Sequence, residues 1–437
     1  MKIEVLLLID RRFLLQKNSK LREIYEIIYV GNTDSLILDL KEDIRIRDVR
    51  GIPKPIPTYD PSDYMWSLYY DDGFSWLWHL KAIQADNAWD ITKGDPNIKI
   101  AIIDSDFDLT HPDLSGQFDP TYDPYTGIPL SAEDPSHGTG VASFAAARTD
   151  GGGQLASIGF NCKMIGYTYS SGLAKHLHAS NVMHADVISI SWFNSCSPNS
   201  DDSLIINEIL DNGTIIVASA GNGLVHCGGG EIYPFGSTYD DRLIKVTSTD
   251  RYDKHQYIVA GEDQTHSHYD GVDICAPGYC EMGAVPIINE DGSINNWPYY
   301  GCASGTSFAT PIVAGVCALM KSINPCLDPA QTQDIIKTTA DPVTDAYLYP
   351  GLVGSGRINA YEAVKKAGTR NIENTNLSSN QIFSGGYSVN LMNVLISNNA
   401  TITLKARKEV AISGSFEVQL GSSLNVYIDE TTVNDCN

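Results

Sequence analysis

Apolar residues fall in short, nearly unbroken runs through the middle of the chain. Ile98–Ile103 is the first, interrupted only by Lys99, and Asp186–Ile190, Thr214–Ser219 and Leu243–Val246 follow. Runs of this length without alternation suit strands covered on both faces, as in a parallel sheet between helices. Between them the period changes. Leu204–Leu210 repeats its apolar positions with helical spacing and stops at Asn212-Gly213, a pair suited to a helix C-cap. A longer apolar run ends in Ala314–Met320 and reads as a buried helix. Strand–helix alternation of this kind predicts an α/β fold with helices on both faces of a mainly parallel sheet.

The two ends read differently. Residues 1–50 alternate apolar and charged positions, as in Ser35–Leu40, and read as an N-terminal extension or the remnant of a pro-segment. Gly51–Pro57 carries three prolines and reads as a stiff linker, followed by an aromatic-rich lead-in from Asp60 to Trp78. From about Thr369 the pattern becomes short alternating strands, such as Ala400–Leu404 and Ser415–Leu420, joined by Ser-Gly and Gly-Ser-Ser turns. That predicts a small all-β module over 369–437. No stretch reads as long and apolar enough to span a bilayer, and Met1–Arg12 is too broken by charge for a good signal peptide.

Acidic residues outnumber basic ones 53 to 30, for a net charge of -23. Such a surface repels nucleic acid and anionic membranes, so neither is an expected partner. Of the nine cysteines, Cys162 and Cys317 sit in apolar runs and read as small hydrophobes. Cys196, Cys227, Cys275, Cys280, Cys302, Cys326 and Cys436 lie near turns and are disulfide candidates in an oxidising compartment. No Cys/His cluster has zinc spacing, and His266 with His268 alone makes a poor metal site.

Three motifs carry chemistry. Ser307, in Gly305-Thr306-Ser307-Phe308-Ala309-Thr310-Pro311, sits at the start of the long apolar helix, where small neighbours admit a substrate backbone. A serine so placed is a nucleophile only with a base and an orienting acid. His137, in Ser136-His137-Gly138-Thr139-Gly140, opens a run rich in small residues and is the candidate base. Asp104 closes the strand Ile98–Ile103, at the C-terminal tip where open α/β sheets place their chemistry, and is the candidate acid. Read one at a time, each is an ordinary turn or cap residue. Together, in the order Asp, His, Ser, they form a triad pattern.

With His111-Pro112-Asp113-Leu114 added, these motifs resemble those of subtilisin-like serine peptidases, the subtilase family, from about Lys81 to Lys366. The resemblance implies a three-layer peptidase domain over 81–368, a lead-in over 51–80, and Asp104, His137 and Ser307 as the catalytic triad. It implies Asn222, in Ala220-Gly221-Asn222, as an oxyanion-hole donor beside the Ser307 N–H. It implies that peptide substrate pairs as an added strand along Ser191-Trp192-Phe193 and Ala220-Gly221. No cofactor is required; relatives often hold structural calcium, for which the sequence offers no assignable site. The expected activity is endopeptidase hydrolysis through an acyl-enzyme, in a secreted or surface-exposed protein of unassigned oligomeric state. Two positions depart from the family pattern: Phe193 and Asp106 stand where glycine is usual. Phe193 narrows the pocket for the side chain before the scissile bond, and Asp106 with Asp108 adds charge near Asp104. They are the only support for the alternative, a catalytically impaired surface or adhesion protein.

Overall fold

The computed structural model describes residues 9–10, 26–27 and 59–435, apart from 131–135, 171, 224–226, 237–241, 260–261 and 285–299. The chain divides into two units, Met1–Pro57 and Thr58–Asn437. In the first, Ile9–Asp10 pairs antiparallel with Glu26–Ile27. The alternating stretch 35–40 and the proline linker 51–57 lie outside the described residues.

Six strands build the central sheet of the second unit: β1 Lys99–Asp104, β2 Lys163–Thr168, β3 Val187–Ile190, β4 Ile215–Ser219, β5 Ile244–Thr249 and β6 Ile274–Pro277. They run parallel in the order β6-β5-β4-β3-β1-β2. Every residue of β3, β4, β5 and β6 is buried, which explains the absence of alternation in the sequence. From β1 the chain passes first to β2 on one side and then to β3 on the other. That reversal opens a crevice at the carboxyl ends of β1 and β3, where this kind of sheet binds its ligands.

Two helices matter most: α1 Ser136–Ala146 and α2 Thr306–Ile323. Their apolar residues share one core cluster with β1, β3 and β4, while Ala174–Asn181 and Ser200–Asp211 cover the other face. With 18 residues at a mean hydropathy of 1.4, α2 matches a membrane span in length and composition. Here its apolar surface is buried inside the protein, as for any helix surrounded by its own fold.

The C-terminal region contains β7 Thr369–Leu377, β8 Gln381–Gly385, β9 Ser388–Ile396, β10 Thr401–Ala406, β11 Glu409–Val418 and β12 Ser423–Ile428. These form two parallel sheets, β7-β9-β11 and β8-β10-β12. Strands adjacent in sequence therefore lie in different sheets, and each pair makes one coil of a short solenoid. Side-chain amides stack between coils, with Asn390 donating to Asn371 and Asn393 to Asn374, both at 2.9 Å. The alternation in the sequence predicted strands; it carried no signal for their parallel stacking. This region meets the core at the C-terminal end of α2. The Asn434 N–H donates to the Ile323 carbonyl at 2.8 Å, and a Cβ on Gly386 would lie 2.4 Å from that same oxygen.

Disulfides join Cys196 to Cys227 and Cys280 to Cys302, and Cys326 is also disulfide-bonded. Cys162 and Cys317 are buried free thiols, as their apolar runs suggested. Cys275 corrects the expectation from sequence. It lies inside β6, fully buried and unpaired, with its thiol donating to the Val353 carbonyl at 3.1 Å. The position next to Pro277-Gly278 suggested a turn, whereas the strand runs on through Pro277.

His176 is fully buried between Trp192 and Phe235, with ring centroids 5.5 and 5.0 Å away, and burial pushes it down to about 3. In the unfolded chain it takes up its proton near pH 6.5, so the unfolded state binds more protons between about pH 3 and 6.5. Stability is therefore lost as pH falls through that window, at about 1.4 kcal/mol per unit. Asp63 and Glu281, pushed up by burial, act in the opposite sense and mask this in the bare acid limb. A His176→Phe variant isolates the effect. Relative to the parent, its urea-derived stability should improve by roughly 3 kcal/mol between pH 7 and pH 4.5. A pH-independent difference would remove His176 as the cause.

Candidate active site

The carboxyl end of β1 and the first turns of α1 and α2 meet at the switch-point crevice. Asp104 is 3% exposed, and its Oδ1 accepts the Ser105 N–H at 2.7 Å. The same oxygen lies 2.7 Å from Nδ1 of His137. The Ser105 hydroxyl accepts the Gly138 N–H at 2.8 Å, tying the start of α1 to the end of β1. A side chain at Gly138 would lie 2.6 Å from the Ser105 carbonyl and 2.7 Å from that of Asp106. Glycine after the histidine is thus what lets α1 approach closely enough for the Asp–His contact. Asp106 and Asp108 occupy the same turn. The Asp108 carboxylate is taken up locally by the Thr110 N–H and hydroxyl, while Asp106 lines the cleft with Asp104, Ser105, Thr168, Tyr169 and Trp192.

Ser307 is the second residue of α2, so its N–H is among the first-turn amides that have no carbonyl partner within the helix. Pro311, inside the same helix, has no N–H to give the Ser307 carbonyl four residues earlier. The Ser191 hydroxyl fills that place, donating to the Ser307 carbonyl at 2.7 Å, and the Ser307 hydroxyl in turn donates to the Ser191 carbonyl at 3.1 Å. This reciprocal pair locks the nucleophile candidate to the strand end after β3. The ring of Phe308, next in the chain, lies 5.5 Å from the His137 imidazole, which places the histidine at the same helix end.

Asn222 follows β4 and reaches the other side of that end. Its Oδ1 accepts the Thr306 N–H at 2.9 Å and the Thr306 hydroxyl at 3.0 Å. Because an N–H can only donate, these contacts fix which way the amide faces and turn Nδ2 away from Thr306. Thr306 also accepts the Gly221 N–H at 3.2 Å. Gly305, at φ 143°, holds a backbone conformation that residues with a side chain rarely adopt, and a Cβ there would lie a tight 3.3 Å from the Asn222 amide nitrogen.

Ser191, Trp192 and Phe193 continue from β3, and Ala220 and Gly221 from β4, so the two predicted substrate edges are the ends of neighbouring parallel strands. Gly221 has both main-chain groups engaged internally, its N–H with Thr306 and its carbonyl with the Ser267 N–H at 2.9 Å. Its main chain is thus anchored to α2 and to the segment around Ser267. The Trp192 ring stands edge-on to Tyr169 at 4.7 Å. Sequence reasoning had passed over Tyr169, Thr306, Ser105 and the Ser191 hydroxyl. Only Thr306 and Ser105 carried a signal, as hydroxyl residues flanking the chemistry. His268 turns its Nδ1 to His255 Nε2, 3.2 Å away. Among the described residues no three ligating side chains gather to hold a metal.

A sequence model of the subtilase family matches residues 95–380. A thermophilic serine proteinase of a Bacillus species is 27% identical over 79% of this chain and 80% of its own length. Thermitase of Thermoactinomyces vulgaris is 29% identical over 65% of this chain and 94% of its own. Among solved structures, a protease from Pseudoalteromonas arctica superposes with a TM-score of 0.55 at 24% identity, over 71% of this chain and all of that one. That likeness is one of fold.

Proposed function

The chain belongs to the subtilase family and is a serine endopeptidase, and we propose that it cleaves peptide bonds through Ser307, His137 and Asp104. Ser307 attacks the scissile carbonyl and loses its proton to His137, which later passes it to the leaving amine. Asp104 holds Nδ1 and so directs the other imidazole nitrogen to the serine. The observation that carries this reading is the 2.7 Å contact between the half-exposed His137 and the buried Asp104, beside the helix end that bears Ser307. For transfer to occur, the Ser307 hydroxyl turns from the Ser191 carbonyl toward the imidazole, an adjustment common when substrate arrives. The collapse of the tetrahedral intermediate gives an acyl-enzyme on Ser307, which water hydrolyses. A fluorophosphonate probe should label the protein and not its Ser307→Ala variant; labelling of both equally would overturn the assignment.

Asn222 and the Ser307 N–H are the proposed oxyanion donors. An Asn222→Ala variant should lose about 10²–10³ in kcat, a range taken from subtilisin itself, with little change in KM. Burst kinetics on an ester substrate would check it. Phe193, in place of glycine at the substrate edge, disfavours large aromatic side chains before the scissile bond. Equal cleavage after Phe and after Ala in a peptide library would contradict that. We place the protein outside the cytosol, supported by the disulfides Cys196–Cys227 and Cys280–Cys302. Its substrates are proteins or peptides.

A further inference from the structure

The turn that carries Asn222 lies just beyond the sheet. The Ala220 N–H still donates to the Val246 carbonyl of β5 at 2.8 Å, and the chain then continues through Gly221, Asn222 and Gly223. Gly221 and Gly223 have φ of 103° and 69°, conformations that residues with a side chain rarely adopt. Two glycines let the turn take this shape and equally let it leave, so neighbours have to impose it. Thr306 holds one side, through the Gly221 N–H and the Asn222 Oδ1. Ser267 holds the other. Its N–H donates to the Gly221 carbonyl at 2.9 Å, and its hydroxyl accepts the Gly223 N–H at 3.1 Å. A single residue, 1% exposed, thus catches the main chain before and after Asn222.

Ser267 is in turn tied to β5. The Thr247 hydroxyl donates to its carbonyl at 2.7 Å. On one side His266 Nδ1 meets the Ser248 hydroxyl. On the other, His268 Nδ1 faces His255 Nε2, and His255 Nδ1 lies 2.9 Å from the Ser248 carbonyl. Residues 266–268 therefore all trace back to Thr247 and Ser248, both fully buried in one strand of the central sheet. We propose that Ser267 is a positioning residue for the oxyanion donor: it transmits the rigidity of β5 to the turn and so sets where Asn222 Nδ2 stands relative to the carbonyl under attack. This rests on the oxyanion reading of Asn222 given above. Such a donor has to be held within about 0.5 Å of its working place by groups that are themselves locked. Thr306 fixes which way the amide faces, but a shift of the backbone at Asn222 carries the whole side chain with it. Ser267 acts through Asn222 and not on the substrate.

The test uses the full-length protein, a quenched peptide and the variants Ser267→Ala, Asn222→Ala, the two combined, and Ser307→Ala. Endpoint fluorophosphonate labelling counts working sites, so kcat is expressed per labelled site. Ser267→Ala should lower kcat roughly 10-fold with KM nearly unchanged, the size of one buried hydrogen bond left unmade. In the Asn222→Ala background the same change should alter kcat by less than about 2-fold, since no amide remains to be misplaced. A residue that only stabilises the fold would instead reduce the number of labelled sites at unchanged kcat per site, or lower kcat equally in both backgrounds. Either result would overturn the proposal. If Ser267→Ala does not fold, Thr247→Val, which removes the donor to the Ser267 carbonyl, is measured in the same two backgrounds and judged by the same non-additivity. Parental kcat in Asn222→Ala beside an inactive Ser307→Ala would overturn the oxyanion reading. A parent that neither labels nor cleaves would overturn the Ser307 reading, and each of these takes the present proposal with it.

Discussion

Replacing Ser307 by alanine is expected to lower kcat by about 10⁶, a magnitude that comes from subtilisin itself. The loss is large because the remaining groups serve one atom. His137 then has no hydroxyl to deprotonate, and Asp104 orients a base with nothing to accept. KM should change little, since the substrate edges after β3 and β4 do not depend on the hydroxyl. Alanine removes a single donation to the Ser191 carbonyl, while the Ser191 hydroxyl still reaches the Ser307 carbonyl. Single-turnover assays with a quenched peptide, alongside thermal unfolding, separate the two effects. A residual rate within 100-fold of the parent at unchanged stability would mean that another residue supplies the nucleophile.

The Asp104→Asn variant should cost about 10⁴ in kcat, the scale found when the equivalent acid of a Ser-His-Asp protease is made neutral. The present geometry supports a similar loss. Asp104 Oδ1 faces two groups, the Ser105 N–H and His137 Nδ1, and must accept from both. An asparagine that keeps its oxygen on Ser105 still accepts from Nδ1 but carries no charge to stabilise the imidazolium. One that turns its amide toward His137 donates to Nδ1 and places the proton on the nitrogen that should act as base. Either outcome weakens the base without disturbing the core, so unfolding should be nearly unchanged while the acid limb of the pH–rate profile shifts. A variant retaining a tenth of parental turnover would exclude Asp104 from this role.

Much of this was legible before any coordinates. The unbroken runs at Ile98–Ile103 and Thr214–Ser219 announced buried parallel strands, because two-faced burial leaves no polar position to alternate. The tight motifs around Asp104, His137 and Ser307 marked the candidate site, because each pairs a reactive side chain with neighbours too small to block it. What stayed hidden were relations between distant segments. Nothing near Thr306 says that its hydroxyl and N–H fix the amide of a residue 84 positions earlier. Nothing near Pro311 says that the carbonyl it leaves unpaired is met by the Ser191 hydroxyl. The C-terminal alternation was visible, yet strand direction is set by pairing partners, which a local pattern does not encode.

The C-terminal solenoid grips the catalytic helix at the end away from Ser307, about 27 Å along its axis for 18 residues. Since each coil rests only on its immediate neighbours, coils could be lengthened, decorated or trimmed without retuning the proteolytic apparatus. Variation in this region is mechanically separate from the helix end that carries Ser307.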